Sequence, residues 1–291
     1  MIISTQVLLG QLTIGLVNGC FYALLSLGLA IIFGLLNIIN FAHGALYMLG
    51  AFAAYLALQL FGINYWYALF LAPLVVGCFA ILIERFFLRR LEGLDHLYGL
   101  LFTFGLAIAL EGIFRDRFGS AGLSYAVPAQ LRGLLDLGFM RLPTYRAWVV
   151  VASLFVCVSV WFLLERTRYG SYLRAGTENP RLVQSLGINV PLLVTLTYGL
   201  GAGLAAFAGV LAAPIYQVHP LMGSNILIVT FAVVVIGGLG STGGAIITGL
   251  ALGVIEGLTK VFYPEASSTA VFIIMAIVLL IRPAGLFGQE S

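Results

Sequence analysis

A short polar interruption, Asn-Phe-Ala-His-Gly, separates two long apolar runs near the start of the chain. Asn40 and His43 can hydrogen-bond to backbone groups freed by a helix break, or to a solute, and Gly44 permits a turn. Asn18 and Tyr22 are polar side chains in the apolar run that precedes it. Broken helices at membrane depth are tolerated where they line a cavity, so we predict that these five residues belong to a substrate pathway. The alternative is structural: the polar side chains hold the helix break and the helix packing.

A cluster of glycines is the second feature with a possible mechanical role. Residues 236–244 carry five glycines in nine positions between two apolar runs, and this density breaks a helix. No strand precedes the cluster, so it does not fit a nucleotide-binding glycine loop. We predict a hairpin or hinge, with direct lining of a pore as the alternative. Its residues are Gly237, Gly238, Gly240, Ser241, Gly243 and Gly244.

A third segment, residues 165–190, is polar and carries helix signals. Pro180 suits the first turn of a short helix with Asn179 as its cap, and Gly187 suits its end. We predict a short surface helix on which a partner protein could dock, with a simple solvated linker as the alternative. The candidate docking residues are Arg174, Ala175, Glu178, Asn179, Gly187, Ile188 and Asn189.

The chemistry of an energy source is missing from the sequence. The sole lysine, Lys260, stands in Gly-Leu-Thr-Lys-Val, which is not a P-loop, so ATP would have to be bound by a separate subunit. Few titratable residues fall inside apolar runs. We expect Glu111 to pair with Arg115 and Glu256 with Lys260, because residues four apart share a helix face. No catalytic triad, paired carboxylates or metal-ligand spacing is present, so an enzyme is not expected.

Composition indicates what must position these residues. Hydrophobic residues make up 62% of 291 positions, charged residues 9%, and the mean hydropathy is +1.10. Soluble domains carry about 25% charged residues, and here the first charged side chain is Glu84. The apolar runs are continuous and near 20 residues long, which favours helices over a barrel. We therefore predict an all-α, polytopic transmembrane helical bundle formed by one domain, residues 1–291, in contact with lipid and not with nucleic acid.

Eight or nine spans are expected, and the second is the uncertain one because three residues separate it from the third. It could be re-entrant. The candidate spans are 7–33, 45–61, 65–83, 97–114, 147–164, 191–213, 225–238, 243–262 and 269–283.

Arginines set the expected orientation, because cytoplasmic loops are enriched in them. Loops 84–96 and 165–190 and the end near Arg282 fall on one side, which we take as cytoplasmic, with the C-terminus inside and the N-terminus outside. Loop 115–146 then lies outside despite five arginines, and it is long enough to hold short structure of its own.

Glycines spaced by four mark helix faces that allow close packing. They are Gly15 and Gly19, Gly199 and Gly203, and Gly249, Gly253 and Gly257. Packing within the chain and a contact between subunits both fit this pattern.

Taken together, the motifs resemble those of permease subunits of the branched-chain (hydrophobic) amino acid family of ATP-binding-cassette importers. The run from Asn18 to Gly50, the Arg-Ala…Gly-Ile-Asn segment, the glycine cluster and the ending Arg-Pro-Ala-Gly-Leu-Phe-Gly (282–288) occur in the family's order. The chain departs at Ala45, where the family often has an acid, and at residues 182–184, where it is usually alanine-rich. The layout looks like the first of two non-identical permeases.

The resemblance implies a multi-part importer in the bacterial inner membrane. A second permease completes the pore, two cytoplasmic ATPases bind ATP and magnesium, and an extracytoplasmic binding protein delivers the solute. It also implies that residues 174–189 form the coupling segment that docks on an ATPase. Branched-chain or other small hydrophobic amino acids are the expected substrates, with urea, short amides and aromatic acids as alternatives. A stand-alone channel or gradient-driven carrier is the competing hypothesis, and the shortage of titratable groups in the spans counts against it.

Overall fold

The computed structural model describes residues 5–36, 39–91 and 93–288, and it has the all-α fold that the sequence predicts. The helices are α1 (Thr5–Leu36), α2 (Ala42–Phe61), α3 (Tyr65–Ile83), α4 (Arg89–Leu91), α5 (His96–Phe118), α6 (Thr144–Arg166), α7 (Arg168–Glu178), α8 (Pro180–Ser185), α9 (Val190–Ala212), α10 (Met222–Gly237), α11 (Thr242–Phe262) and α12 (Ser267–Ile281). A π-helical turn, Glu84–Leu88, joins α3 to α4.

Eight helical segments of the described chain are long and apolar enough to cross a membrane, in agreement with the eight or nine expected. The second of them, α2, is a complete helix of 20 residues and not a shortened element. Gly62 ends it in the left-handed conformation, and the Asn64 side chain caps α3 by accepting from Trp66 N, so three residues suffice for the turn. The shorter apolar helix is α10, whose 16 residues span about 24 Å.

The helices group into two compact units. Unit 1 comprises Met1–Leu27, Ala126–Cys157 and Ile228–Ser291, and unit 2 comprises Gly28–Tyr125 and Val158–Leu227. No finding tests the predicted single domain, which stays a prediction.

In unit 1, glycines bring α1 and α11 into close contact. A Cβ atom placed on Gly15 would lie 2.5 Å from the carbonyl oxygen of Gly253, and one on Gly19 would lie 2.9 Å from that of Leu250. No side chain fits between these backbones, so packing within the chain explains this set of glycines. Beside it lies an apolar cluster that includes Val233, Leu252 and Val271.

In unit 2, α9 packs along both α2 and α3. A Cβ atom on Gly199 would meet Ile81 Cγ1 at 2.7 Å, and one on Gly203 would meet the Pro73 carbonyl oxygen at 3.4 Å. Gly50 of α2 lies against the backbone of Ala206. Because α9 contacts both neighbours this closely, a displacement of α9 would force α2 and α3 to move or to repack.

Loop 115–146 holds short structure, as expected. In unit 1, strands β1 (Leu134–Asp136) and β2 (Arg141–Pro143) form an antiparallel hairpin. In unit 2, a bridge between Leu123 and Val218 ties the start of the loop to the segment after α9. Burial lowers the pKa of the nearby His219 and raises the pKa of Tyr125 to about 12, so both side chains are mainly neutral at pH 7.

Candidate functional site

The polar interruption is a helix break held by hydrogen bonds within unit 2. Asn40, 2% exposed, accepts from Ala42 N at 3.1 Å through its Oδ1 atom and donates from Nδ2 to Tyr198 Oη, also at 3.1 Å. Thr103 Oγ1 of α5 accepts from Phe41 N at 3.2 Å. Asn40 therefore satisfies a backbone donor at the start of α2 and links it to α9. This geometry matches the structural alternative, and the pathway role of Asn40 stays a prediction.

His43 and Gly44 lie in the first turn of α2. His43 is 1% exposed, and its ring packs against α1, where a Cβ atom on Gly28 would lie 3.0 Å from Cε1. Gly44, which would permit a turn, is helical. Because Gly44 has no side chain, α2 can approach the start of α10 closely. A Cβ atom on Gly44 would lie 2.7 Å from the carbonyl oxygen of Gly223.

Asn18 and Tyr22 belong to unit 1, one helical turn apart on α1. Tyr22 Oη donates to Glu256 Oε2 at 2.6 Å, and Lys260 Nζ lies 2.5 Å from Glu256 Oε1. The predicted Glu256–Lys260 pair is thus confirmed. Sequence reasoning missed Tyr22 as its third member, because 234 residues separate the tyrosine from the glutamate.

The charge of Arg115 acts on Glu111 as expected, but the two side chains do not form a close ion pair. Glu111 accepts a hydrogen bond from the Ser224 hydroxyl at the start of α10, which offers a closer partner than the arginine one turn away. The side-chain ion pairs within residues 5–36, 39–91 and 93–288 include Asp136–Arg141, Glu165–Arg174 and Glu256–Lys260. The same residues contain no group of three His, Cys, Asp or Glu side chains suited to a metal.

The candidate coupling segment consists of two helices, α7 and α8, where the sequence predicted one. Asn179 caps α8 as predicted, with its Oδ1 atom accepting from Leu182 N at 3.1 Å, and Pro180 is the first helical residue. Gly187 follows the helix with a φ of +84°. Asn189 then caps α9 by accepting from Leu192 N at 3.1 Å. Both asparagines therefore fix where helices begin.

Arg174 and Tyr169 tie this segment to the membrane helices. Arg174 Nη1 donates to the Leu164 carbonyl at the end of α6 at 2.7 Å and reaches Glu165 Oε2 at 3.3 Å. The Tyr169 and Thr197 hydroxyls lie 2.5 Å apart, which joins α7 to α9. The segment is thus anchored on its inner side.

The outer side of the segment carries apolar side chains that the sequence reading did not single out. Leu182 of α8 is 58% exposed, and Leu186, the residue that follows α8, is 72% exposed. Ala175 and Glu178 of α7 are also exposed, whereas Ile188 is half-buried. These two leucines place exposed apolar area next to the candidate docking residues.

A cavity of about 310 Å³ lies between this segment and the π-helical turn after α3. Its lining includes Glu84, Arg89, His96, Pro180 and Val194. Glu84 is 1% exposed and accepts from Thr195 Oγ1 at 2.7 Å. The cavity therefore brings the two arginine-bearing regions, 84–96 and 165–190, to the same end of unit 2. Sequence reasoning gave Glu84 no role, although a π-turn often marks a functional position.

The glycine cluster breaks the helix where predicted, between α10 and α11. Gly238 and Gly240 have φ angles of +99° and +82°, and Ser241 Oγ caps α11 by accepting from Gly244 N at 3.1 Å. Gly237 packs against Gly244 across the turn, and Gly243 lies in the first turn of α11. Its role as a hinge stays a prediction.

The segment after α12 packs back onto this break. Leu286 N donates to the Ile236 carbonyl at 2.8 Å, and Phe287 N donates to the Gly237 carbonyl at 3.2 Å. These bonds satisfy carbonyl groups that the end of α10 leaves without helical partners. The ending noted in the sequence thus holds the glycine break in unit 1.

Comparison with known proteins gives one consistent result. The family described as "Branched-chain amino acid transport system / permease component" matches residues 11–281. The permease protein LivH of the high-affinity branched-chain amino acid transport system of Escherichia coli (strain K12) is 30% identical to the chain, with 97% of this chain and 96% of the relative covered. BraD of Pseudomonas aeruginosa is 32% identical with the same coverage, and a probable LivH of Methanocaldococcus jannaschii is 29% identical with 92% and 88% covered. No solved structure matches significantly.

Proposed function

The chain belongs to the family of branched-chain amino acid transport system permease components, and from this membership we propose that it is a membrane-spanning subunit of an ATP-driven importer of branched-chain amino acids. The observation that carries the proposal is the similarity to named permeases along nearly the whole length of both chains. Eight apolar helices of membrane-spanning length agree with a multi-pass permease.

The proposed machine contains partners that supply what this chain lacks. A second permease completes the pathway, two ATPases bind ATP and magnesium, and an extracytoplasmic binding protein delivers the amino acid. The exposed Leu182 of α8 and Leu186, which follows it, support docking of an ATPase at this point, because they place apolar area beside α7, which Arg174 anchors to α6.

We propose that the ATPase acts on the pathway through α9. Three neighbouring polar residues of α9 contact three different elements: Thr197 meets Tyr169 of α7, Thr195 meets Glu84, and Tyr198 meets Asn40 at the helix break. These contacts connect α7 through α9 to the start of α2, so that a displacement of α7 is transmitted to the helix break. The orientation follows from arginine: the end of unit 2 that carries loops 84–96 and 165–190 faces the cytoplasm, in a bacterial inner membrane, with the C-terminus inside.

Reconstitution tests the proposal. The chain is purified with its co-purifying subunits, placed in lipid vesicles with the binding protein, and assayed for uptake of labelled leucine with and without ATP. We expect ATP-dependent uptake and co-purification of a second permease and ATPases. Uptake by this chain alone without ATP would replace the importer with a channel or carrier. Uptake of urea, an amide or an aromatic acid in place of leucine would keep the importer and correct its substrate.

A further inference from the structure

The cavity beside the π-helical turn has the size and the lining of a small-molecule site. Its volume of about 310 Å³ lies at the lower end of the usual range for ligand pockets, roughly 300–1,000 Å³. Much of the lining is apolar and includes Leu35, Leu88 and Val194. Pockets of this kind bind an apolar body and orient it through a few polar groups.

The first of these polar groups is a buried carboxylate. Glu84 is 1% exposed. The Thr195 hydroxyl, which carries no charge, donates a hydrogen bond to Glu84 Oε2. Glu84 forms none of the ion pairs found in the described residues. The charges of Arg89 and Arg85 act on this carboxylate, but neither arginine lies within ion-pair distance of it. A buried carboxylate without a directly bound cation is costly, so the site favours a ligand that brings a positive charge to this position.

The second polar group is basic. Arg89, exposed at the start of α4, lines the same cavity, as does His96 at the start of α5. A guanidinium group binds a carboxylate in a planar, two-pronged geometry. One cavity therefore presents an acid, a base and an apolar wall.

We propose that this cavity binds a zwitterionic amino acid with an apolar side chain, with its ammonium group on Glu84, its carboxylate on Arg89 and its side chain against the leucines. The proposal rests on the proposed function for the class of amino acid and for the cytoplasmic location, since the cavity adjoins the coupling segment. It adds a binding site on the product side of the permease, separate from the extracytoplasmic binding protein. Because residues 84–96 and 176–194 both line the cavity, an occupant contacts the coupling segment and the membrane helices together.

Equilibrium binding tests the site on the complex of this chain with its co-purifying subunits, in lipid nanodiscs and without the binding protein. The probes are labelled leucine, leucinamide, which lacks the carboxylate, and 4-methylpentanoate, which lacks the ammonium group. We expect Glu84→Gln to weaken leucine and leucinamide binding by about tenfold or more and to spare 4-methylpentanoate. Arg89→Gln should weaken leucine and 4-methylpentanoate binding and spare leucinamide.

Two substitutions serve as matched controls. Arg90→Gln changes the neighbouring exposed arginine, and Glu265→Gln changes an exposed carboxylate in unit 1; neither residue lines the cavity. Both should bind leucine as the wild type does. The side-chain amide introduced by Glu84→Gln can still accept from the Thr195 hydroxyl, and size-exclusion profiles check that each variant assembles.

Absence of leucine binding to the wild-type complex would overturn the site, as would equal weakening by the cavity variants and the controls. ATP-dependent uptake, measured on the same preparation with the binding protein, separates this failure from that of the proposed function. Intact uptake without binding would reject the cavity site and leave the importer standing. Binding with the predicted variant pattern but without uptake would support the site and count against the importer.

Discussion

Tyr22 donates a hydrogen bond to Glu256 from the opposite end of the sequence, with 2.6 Å between Oη and Oε2. Lys260 neutralises the other carboxylate oxygen from one turn further along α11. The carboxylate, 9% exposed, thus has a donor for each oxygen, as a charge inside a membrane helix requires. This arrangement describes a structural network in unit 1 more readily than a proton relay.

The network makes a prediction about stability. Lys260→Met removes the cation and leaves Glu256 with Tyr22, so the free energy of unfolding should fall by roughly 1–3 kcal/mol, moderated by the partial exposure of the lysine. The double variant Glu256→Gln/Lys260→Met should recover much of the loss, because no unpaired charge remains. Thermal unfolding in detergent followed by tryptophan fluorescence measures both. Equal stability of the two variants would show that the pair is not coupled. If Glu256 is structural, the double variant also retains ATP-dependent uptake.

Tyr169→Phe should uncouple ATP hydrolysis from transport. The substitution removes the hydroxyl that meets Thr197 and keeps the ring, so α7 loses its hydrogen bond to α9. We expect ATP hydrolysis to continue while leucine uptake per ATP falls severalfold. Tyr172→Phe, on an exposed tyrosine of the same helix, is the matched control and should keep the wild-type ratio. Unchanged coupling in both variants would remove α9 from the proposed route.

A charge at Leu182 of α8, or at Leu186 just after it, should release the ATPase. Leu186→Asp and Leu182→Asp place a carboxylate where the proposed contact buries a leucine, which costs several kcal/mol in a desolvated interface. Co-purification of ATPase with the tagged chain should drop sharply for both variants. Leu137→Asp, on a leucine exposed in the turn of the β-hairpin, should leave it unchanged. Full recovery of the ATPase with both Leu186→Asp and Leu182→Asp would show that the ATPase docks on another part of the chain.

The glycine contact between α1 and α11 should tolerate no added methyl group. In Gly253→Ala the new Cβ atom would collide with the backbone of Gly19, so we expect a loss of roughly 1–3 kcal/mol in the free energy of unfolding. Gly105→Ala on α5 is the matched control, because nothing lies within 4 Å of a Cβ atom there, and helix propensity should make it neutral or slightly stabilising. Thermal unfolding compares them. A stable Gly253→Ala protein would mean that the two helices can separate without loss.

Local features of this fold could be predicted from sequence, whereas contacts between distant segments could not. The apolar runs gave the helices, Asn179 and Pro180 gave the start of α8, and the spacing of Glu256 and Lys260 gave an ion pair, since each depends on residues within one helical turn. Tyr22 with Glu256 and Tyr169 with Thr197 depend on which helices are neighbours, and uniform hydrophobicity carries no signal for that choice. Gly44 illustrates the limit: its type was informative, but its use for close packing against Gly223 depends on a helix crossing.

Accessible cysteines test the orientation, and the short helix α10 makes the result informative. With the native cysteines replaced, Ser124→Cys in loop 115–146 should react with a membrane-impermeant maleimide in spheroplasts, and Ser171→Cys on α7 should react only after permeabilisation.

The 16 residues of α10 span about 24 Å, less than the hydrocarbon core of about 30 Å, so its crossing depends on local thinning or on flanking residues. Leu239→Cys, just beyond α10, should behave like Ser171→Cys if the helix crosses, as the predicted cytoplasmic C-terminus requires. Labelling of Leu239→Cys from outside would leave eight crossings, and the two ends of the chain would then lie on one side of the membrane.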